Sequence, residues 1–323
     1  LIMPISEFDL IQRFFNQEKN NRADVIRGIG DDAAVLQPPA GQQLVVTTDT
    51  LVAGQHFPEN TSPFDIAYKA LAVNLSDLAA MGAEPAWILL ALTLPVADKA
   101  WLSEFTQGFF SLMHRFQCQL VGGDTTRGPL SITVQALGFI PNGKALLRSG
   151  AQAGDPIYVT GTLGDAGLAL ADLKNKVDIL TQEQRSALLT RLNRPDPRVA
   201  IGLALRDIAS SAIDISDGLA ADLAHILAAS QVGAVVEVAK LPLSKTLLAL
   251  QPEKAQQLAL SAGDDYELCF TVPEARESAL KQALEKIACP YTAVGFISKE
   301  SGLLLQGENG EPFLLEKQGF LHF

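Results

Sequence analysis

With 323 residues, 48% of them hydrophobic and 19% charged, the chain is long enough for two domains and too apolar to be disordered. Its formal net charge of −11 excludes a broad nucleic-acid surface, which needs stripes of Lys and Arg, and makes unassisted phosphate binding unfavourable. The most apolar run, residues 86–94, is far shorter than the ~20 residues of a membrane span. No basic segment leads into an apolar one, and Cys118, Cys269 and Cys289 form no CxxC pair, so the chain reads as cytoplasmic with reduced, buried thiols.

In chain order, residues 5–15 read as a short helix with Phe8, Ile11, Phe14 and Phe15 on one side. A glycine-rich turn at 28–32 leads into a strand at 33–36. The strand at 44–49 places Val45, Thr47 and Asp49 on one face, because side chains alternate. Ser62-Pro63-Phe64-Asp65 supplies an N-cap, a first-turn Pro and an acid three residues on, opening a helix that runs to about residue 81 and stops at Gly82. A helix over 98–116 leads to the strand before Gly122-Gly123-Asp124, and another strand spans 131–140. The turn-rich passage at 149–156 divides the chain into domains 1–149 and 150–323. Beyond it, strands (157–160, 212–216, 233–238, 266–272, 303–305) alternate with helices (164–174, 181–192, 219–230, 274–288). This is an α/β (α+β) pattern of mixed sheets covered by helices.

Two nucleotide motifs nearly match and fail. Gly28-Ile29-Gly30-Asp31-Asp32-Ala33 fits G-x-G-x-x-G/A, yet Asp31 and Asp32 would face a pyrophosphate with like charge, and no helix follows. Residues 138–144 resemble a P-loop until Ala145 stands where Ser or Thr should hold Mg²⁺.

What remains is a recurrence of carboxylates beside glycines: Gly30-Asp31-Asp32, Gly123-Asp124, Asp217-Gly218 and Gly263-Asp264-Asp265, with Asp49, Asp77 and Asp214 in apolar surroundings. Two carboxylates about 4 Å apart repel by roughly 4 kcal/mol at an effective dielectric of 20, so a cluster of them needs a cation. Oxygen-only donors suit Mg²⁺ bridging to nucleotide phosphates. The plainer alternative is that these are turns, which Asp and Gly both favour. Three groups resist it. Asn74 and Asp77 lie one helical turn apart on an Ala/Leu-rich helix, where an unpaired carboxylate is unfavourable. Asp214 sits mid-strand, sharing a face with Ser216, while Asp217 stands where the next helix begins and would also serve as its N-cap. Gly122 and Gly123 allow close approach of a phosphate beside Asp124, with Arg127 and Arg148 among the few nearby cations.

These stretches, in order, resemble the thiamine-monophosphate kinases. The matching segments are Gly28-Ile29-Gly30-Asp31-Asp32-Ala33, Thr47-Thr48-Asp49-Thr50-Leu51-Val52 with His56-Phe57, and Asn74-Leu75-Ser76-Asp77-Leu78-Ala79-Ala80-Met81-Gly82-Ala83. Gly122-Gly123-Asp124-Thr125, Ile213-Asp214-Ile215-Ser216-Asp217-Gly218, Gly263-Asp264-Asp265-Tyr266-Glu267 and the ending at Phe320 complete the set. The resemblance implies a two-domain fold like aminoimidazole ribonucleotide synthetase, forming a homodimer through the N-terminal domain. It implies ATP-dependent phosphorylation of thiamine monophosphate to thiamine diphosphate, with several Mg²⁺ ions and a monovalent cation such as K⁺ left open. By position it assigns Asp32, Thr47, Thr48, Asp49, Asp77, Asp124, Asp214 and Asp217 to metal, some through backbone or water. It assigns Gly123, Asp124, Arg148 and Ser216 to ATP, and His56, Asp264 and Phe320 to the acceptor. Asp264 departs from the Glu common in the family and is one methylene shorter. Because the acceptor is itself a phosphate, ionised near neutral pH, no general base is expected; Asp49, Asp77 and Asp124 are the residues on which turnover should depend. A selenophosphate synthetase would want a reactive Cys near the N-terminus, whereas the first here is Cys118. A non-catalytic Mg-nucleotide sensor is the rival of a different class.

Overall fold

The structure, a computed structural model, describes residues 7–16, 22–174 and 181–316. The chain folds into two compact units, one of residues 1–78 and 83–143, the other of residues 79–82 and 144–323.

In the first unit, the short helix α1 (Glu7–Leu10) runs into a π-helical turn, Ile11–Phe15, that buries Phe14 and Phe15. A two-stranded ribbon, β1 (Val25–Arg27) and β2 (Val35–Leu36), precedes a four-stranded sheet. That sheet is built from β3 (Gln42–Val52), β4 (Glu84–Leu94), β5 (Gln119–Arg127) and β6 (Ser131–Pro141), in the order β3-β6-β4-β5. Helices α2 (Pro63–Ala80) and α3 (Lys99–Arg115) complete the unit. Ser62 Oγ accepts the Asp65 N–H at 3.1 Å, the expected cap of α2. Asp98 caps α3 by accepting from Ala100 and Trp101 at 2.7 and 3.0 Å.

Register decides what each face of this sheet carries. Asp49 lies opposite Val134, Val134 opposite Leu90 and Leu90 opposite Gly123, while the next row is Thr50, Thr133, Ala91 and Asp124. The face holding Leu51, Ile132, Val134, Ala136, Ile88, Leu90 and Leu92 is buried. Thr47 and Asp49 belong to it by alternation. The other face carries Thr48, Thr50, Thr133 and Ala91, with Leu44 and Val46 exposed. One end of it is covered by the ribbon, whose Val25 and Leu36 pack with Trp87 and Phe139, and Asp24 accepts the indole N–H of Trp87 at 2.9 Å.

Gly108 lets α3 approach α2, since a Cβ there would collide with the Phe64 carbonyl. Ala is normally the better helix residue by about 1 kcal/mol, but overpacking costs about 1–3 kcal/mol. Gly108→Ala should therefore lower, not raise, the thermal midpoint of the first unit.

The second unit holds a six-stranded sheet of order β12-β9-β11-β7-β10-β8. Its strands are β7 (Pro156–Thr160), β8 (Ser211–Asp214), β9 (Gly233–Glu237), β10 (Leu268–Thr271), β11 (Tyr291–Ser298) and β12 (Gly302–Gln306). Between them come α4 (Asp165–Leu173), α5 (Gln182–Asn193), α6 (Val199–Ala204), α7 (Leu219–Ser230), α8 (Lys245–Leu250), α9 (Ala255–Ser261) and α10 (Glu277–Leu284). Only β12 and β9 pair in parallel; the remaining pairs are antiparallel. Ile157, Val159, Ile213, Cys269, Val236 and Val294 pack against Leu219, Leu223 and Ile226 of α7 to form the main core. A smaller cluster joins α4, α5, α8 and α9 through Leu168, Leu188, Leu192, Leu247 and Ala255.

Candidate functional site

In the first unit the structure brings together Thr47, Asp49 and Asp77. β3 sends Thr47 and Asp49 toward the helix-covered face, and the Thr47 hydroxyl donates to the Asp77 carboxylate at 2.5 Å. Burial, reinforced by the Asp77 charge, pushes the Asp49 carboxyl up to about 6. One turn before Asp77, Asn74 is fully buried; its amide N–H donates to Ala70 O at 3.0 Å, and its Oδ1 has no hydrogen-bond partner among the described residues. A crowded carboxylate pair and a hydroxyl, with an orphaned amide oxygen one helical turn from Asp77, are all oxygen donors, the chemistry that suits a hard divalent cation. The residues present fit Mg²⁺. Among the described residues no three His, Cys, Asp or Glu side chains are gathered closely enough to hold a metal by themselves, so non-carboxylate donors or substrate oxygens must complete a coordination shell.

The other N-terminal residues of the set stand apart from this pair. Thr48 points to the opposite face, its hydroxyl donating to Val134 O at 3.1 Å, which leaves only its backbone near the Asp49 row. Asp124 is three strands away on β5, roughly 14 Å in a flat sheet, and in the adjacent register row. Gly122-Gly123-Asp124, read as following a strand, lies inside β5. Gly123 takes φ +153°, and a Cβ there would collide with Leu90 O, so only glycine fits that edge. Asp32 is exposed in the turn between β1 and β2, beside Asp31, which pairs with Arg27 at 3.5 Å. His56 sits in the turn after β3, where its Nδ1 accepts the Val52 N–H at 3.0 Å, leaving Nε2 as the protonated nitrogen.

In the second unit, Asp214 ends β8 opposite Leu268 of β10 and is 6% exposed. The chain then turns through Ser216 and Asp217 into α7. Gly218, at φ +112°, occupies the N-cap, and no side chain caps the helix, so Asp217 is not a capping residue. Its backbone N–H and that of Gly218 are instead held by Asp222 Oδ2 at 3.0 and 3.1 Å. Burial, with Asp217 nearby, raises Asp222 to about 7. Asp264 lies against the same turn, donating its N–H to Ser216 O at 2.9 Å. Ser216, Asp217 and Asp264 are thus one paired-loop constellation. Arg148 is exposed in the connection between β6 and β7, beside β8, its carbonyl accepting from Ser230 Oγ at 3.1 Å. Phe320 lies outside the described residues.

Sequence reasoning overlooked Asp222 and the ion network around Glu267. A usable signal was present for the first: an Asp on the apolar face of Leu219-Ala220-Ala221-Asp222-Leu223 demands a polar partner.

Comparison with known proteins follows the same geometry. Residues 30–140 match the N-terminal domain, and 152–306 the C-terminal domain, of the AIR synthase related proteins, so the two units are those of that class. The thiamine-monophosphate kinase of Escherichia coli (strain K12) is 52% identical over 322 residues, 99% of both chains. A crystal structure of thiamine-monophosphate kinase from Stenotrophomonas maltophilia K279a is 48% identical with a TM-score of 0.87, covering 96% of this chain and 98% of that one. A structure of AaThiL complexed with AMPPCP and TMP is 30% identical with a TM-score of 0.77, covering 99% and 97%. The chain belongs to the thiamine-monophosphate kinase family.

Proposed function

We propose that the chain transfers the γ-phosphoryl group of ATP directly to thiamine monophosphate, releasing ADP and thiamine diphosphate. The observation that carries this reading is the crowded Thr47–Asp49–Asp77 group in a member of that kinase family. A terminal oxygen of the acceptor phosphate forms the new P–O bond as the bond to the β-phosphate oxygen breaks. With a second pKa near 6 the acceptor arrives ionised, so no side chain has to take a proton. Mg²⁺, when bound, would offset the repulsion between two polyanions and the charge developing on the leaving ADP.

The chain's own work is holding and orienting. Asp49, Asp77, Thr47 and Thr48 would hold metal, with Asp32, Asp124, Asp214 and Asp217 as the further ligands, some through backbone or water. Gly123, Asp124, Arg148 and Ser216 contact ATP; His56, Asp264 and Phe320 contact the acceptor, whose thiazolium cation suits acidic and aromatic neighbours. Domains 1–149 and 150–323 divide the labour, the first supplying most of the metal residues.

We place the protein in the cytoplasm as a homodimer. Cys118, Cys269 and Cys289 are free thiols, and among the described residues no helix is long and apolar enough to cross a membrane. Leu44 and Val46, exposed at 44% and 51% on the uncovered face of β3, give the first unit an apolar surface for a second copy. Val46→Asp should convert the dimer to monomer in light-scattering chromatography; an unchanged mass would remove this face from the interface.

The direct test supplies purified protein and MgATP with thiamine monophosphate or with aminoimidazole ribonucleotide precursors. ADP and thiamine diphosphate should form with the first alone. ATP binding without ADP release would instead favour the nucleotide-sensor reading.

A further inference from the structure

Residues 263–267 run beside the 214–218 turn and are stitched to it by backbone bonds. Asp264 N donates to Ser216 O at 2.9 Å, Tyr266 N to Ile215 O at 2.8 Å and Ile215 N to Glu267 O at 2.8 Å. Within this segment two residues that are not glycine take left-handed backbone conformations, Asp264 at φ +71° and Tyr266 at φ +50°. An aromatic residue there is strained, and such strain persists only where the surroundings over-determine it.

The surroundings here are the side chains of the alternate residues. Asp265 is 3% exposed, and both its carboxylate oxygens accept the Gly164 N–H that opens α4, at 2.9 and 3.1 Å. The Glu267 side chain is 1% exposed and receives Arg198 Nε at 2.6 Å, Arg198 Nη2 at 2.5 Å, Arg191 Nη2 at 3.1 Å and Thr160 Oγ1 at 2.6 Å. Gly161 makes room for it, since a Cβ there would collide with the Glu267 carboxylate. Arg191 also donates to Thr162 O at 3.2 Å, tying the network to the loop before α4. Positions 265 and 267 are therefore pinned from inside the fold, and 264 and 266 are left to take whatever backbone angles satisfy both pins.

We infer that Asp265 and Glu267 are positioning residues for the acceptor, acting through Asp264, whose left-handed backbone they impose. This rests on the reading of Asp264 as an acceptor contact. A shorter Asp at that position has less reach with which to tolerate a shifted backbone. Both pins are buried. A purely structural role would lower stability and leave affinity for both substrates alike, whereas a positioning role separates them.

The test compares Michaelis constants for both substrates in Asp264→Ala, Asp265→Ala and Asp265→Asn. Asp265→Ala should raise the acceptor KM about 10-fold or more while the ATP KM stays within about twofold, the scale of a sub-ångström to ångström misplacement. Asp265→Asn keeps an oxygen to accept the Gly164 N–H and should restore the acceptor KM. If Asp264→Ala raises the acceptor KM but Asp265→Ala does not, the inference is overturned while the acceptor assignment stands. If Asp264→Ala leaves it unchanged, the assignment itself falls and takes the inference with it. Should Asp265→Ala fail to fold, Arg191→Lys serves: it keeps the charge but loses the planar fork. It should raise the acceptor KM alone, and a parallel rise in both constants would count against positioning.

Discussion

Asp77→Ala should lower turnover by about 10³-fold or more in a protein that still folds, and Asp49→Ala should do the same. Metal stabilisation of transition-state charge is worth several kcal/mol, and about 4 kcal/mol corresponds to a thousandfold in rate. Stability should move the other way. Without a divalent ion, the Asp49 carboxylate is partly buried beside the Asp77 carboxylate, which accepts a hydrogen bond from the Thr47 hydroxyl. Asp49→Asn removes that like-charge contact in an isosteric side chain, so the ion-free variant should be more stable than the parent by about 1–3 kcal/mol. Added Mg²⁺ should raise the thermal midpoint of the parent and have less effect on the variant, because ligand stabilisation scales with affinity for the native state. Near-parental turnover in a folded Asp77→Ala protein would remove this pair from the chemistry.

Glu267→Gln should destabilise the second unit by about 3–5 kcal/mol, the cost of leaving one side of a buried ion pair uncompensated. Arg198 is 13% exposed and Arg191 29%, so two guanidinium groups would face a neutral amide with limited access to water. Arg198→Lys should cost less, since it keeps charge while losing the bidentate geometry. Because the chain has two units, unfolding need not be a single transition, and amide hydrogen exchange at β7 and β10 is the suitable readout. A loss below about 1 kcal/mol, the level of an exposed pair, would show that the network is solvent-screened.

Legibility in the sequence followed local chemistry. The Ser62-Pro63-Phe64-Asp65 start and Gly82 stop delimited α2 well, the observed helix being Pro63–Ala80, and residues 219–230 match α7. Strand β4, by contrast, reads as a plain apolar run because both of its faces are largely buried, so no alternation marks it. Strand β11 was hidden by a register shift between Ala293 and Gly295, which breaks the period of two. The short helices α6, α8 and α9 offer too few turns for a periodic signal. Residues 274–288, read as one helix, divide into a tight turn at Glu274–Arg276 and α10. At the site, strand alternation correctly paired Thr47 with Asp49, and helical spacing paired Asn74 with Asp77. Strand order was not readable, and it is the order β3-β6-β4-β5 that puts Asp124 on the far edge strand. Glu267 carried no local signal either, because its partners Arg191 and Arg198 come from 69–76 residues away.

Anomalous scattering from Mn²⁺, standing in for Mg²⁺ in crystals grown with a non-hydrolysable ATP analogue, tests the metal assignment most directly. Peaks should lie within coordination distance, about 2.0–2.3 Å, of carboxylate oxygens of both Asp49 and Asp77. Nucleotide bound with manganese peaks elsewhere, and none at either of those two side chains, would contradict it.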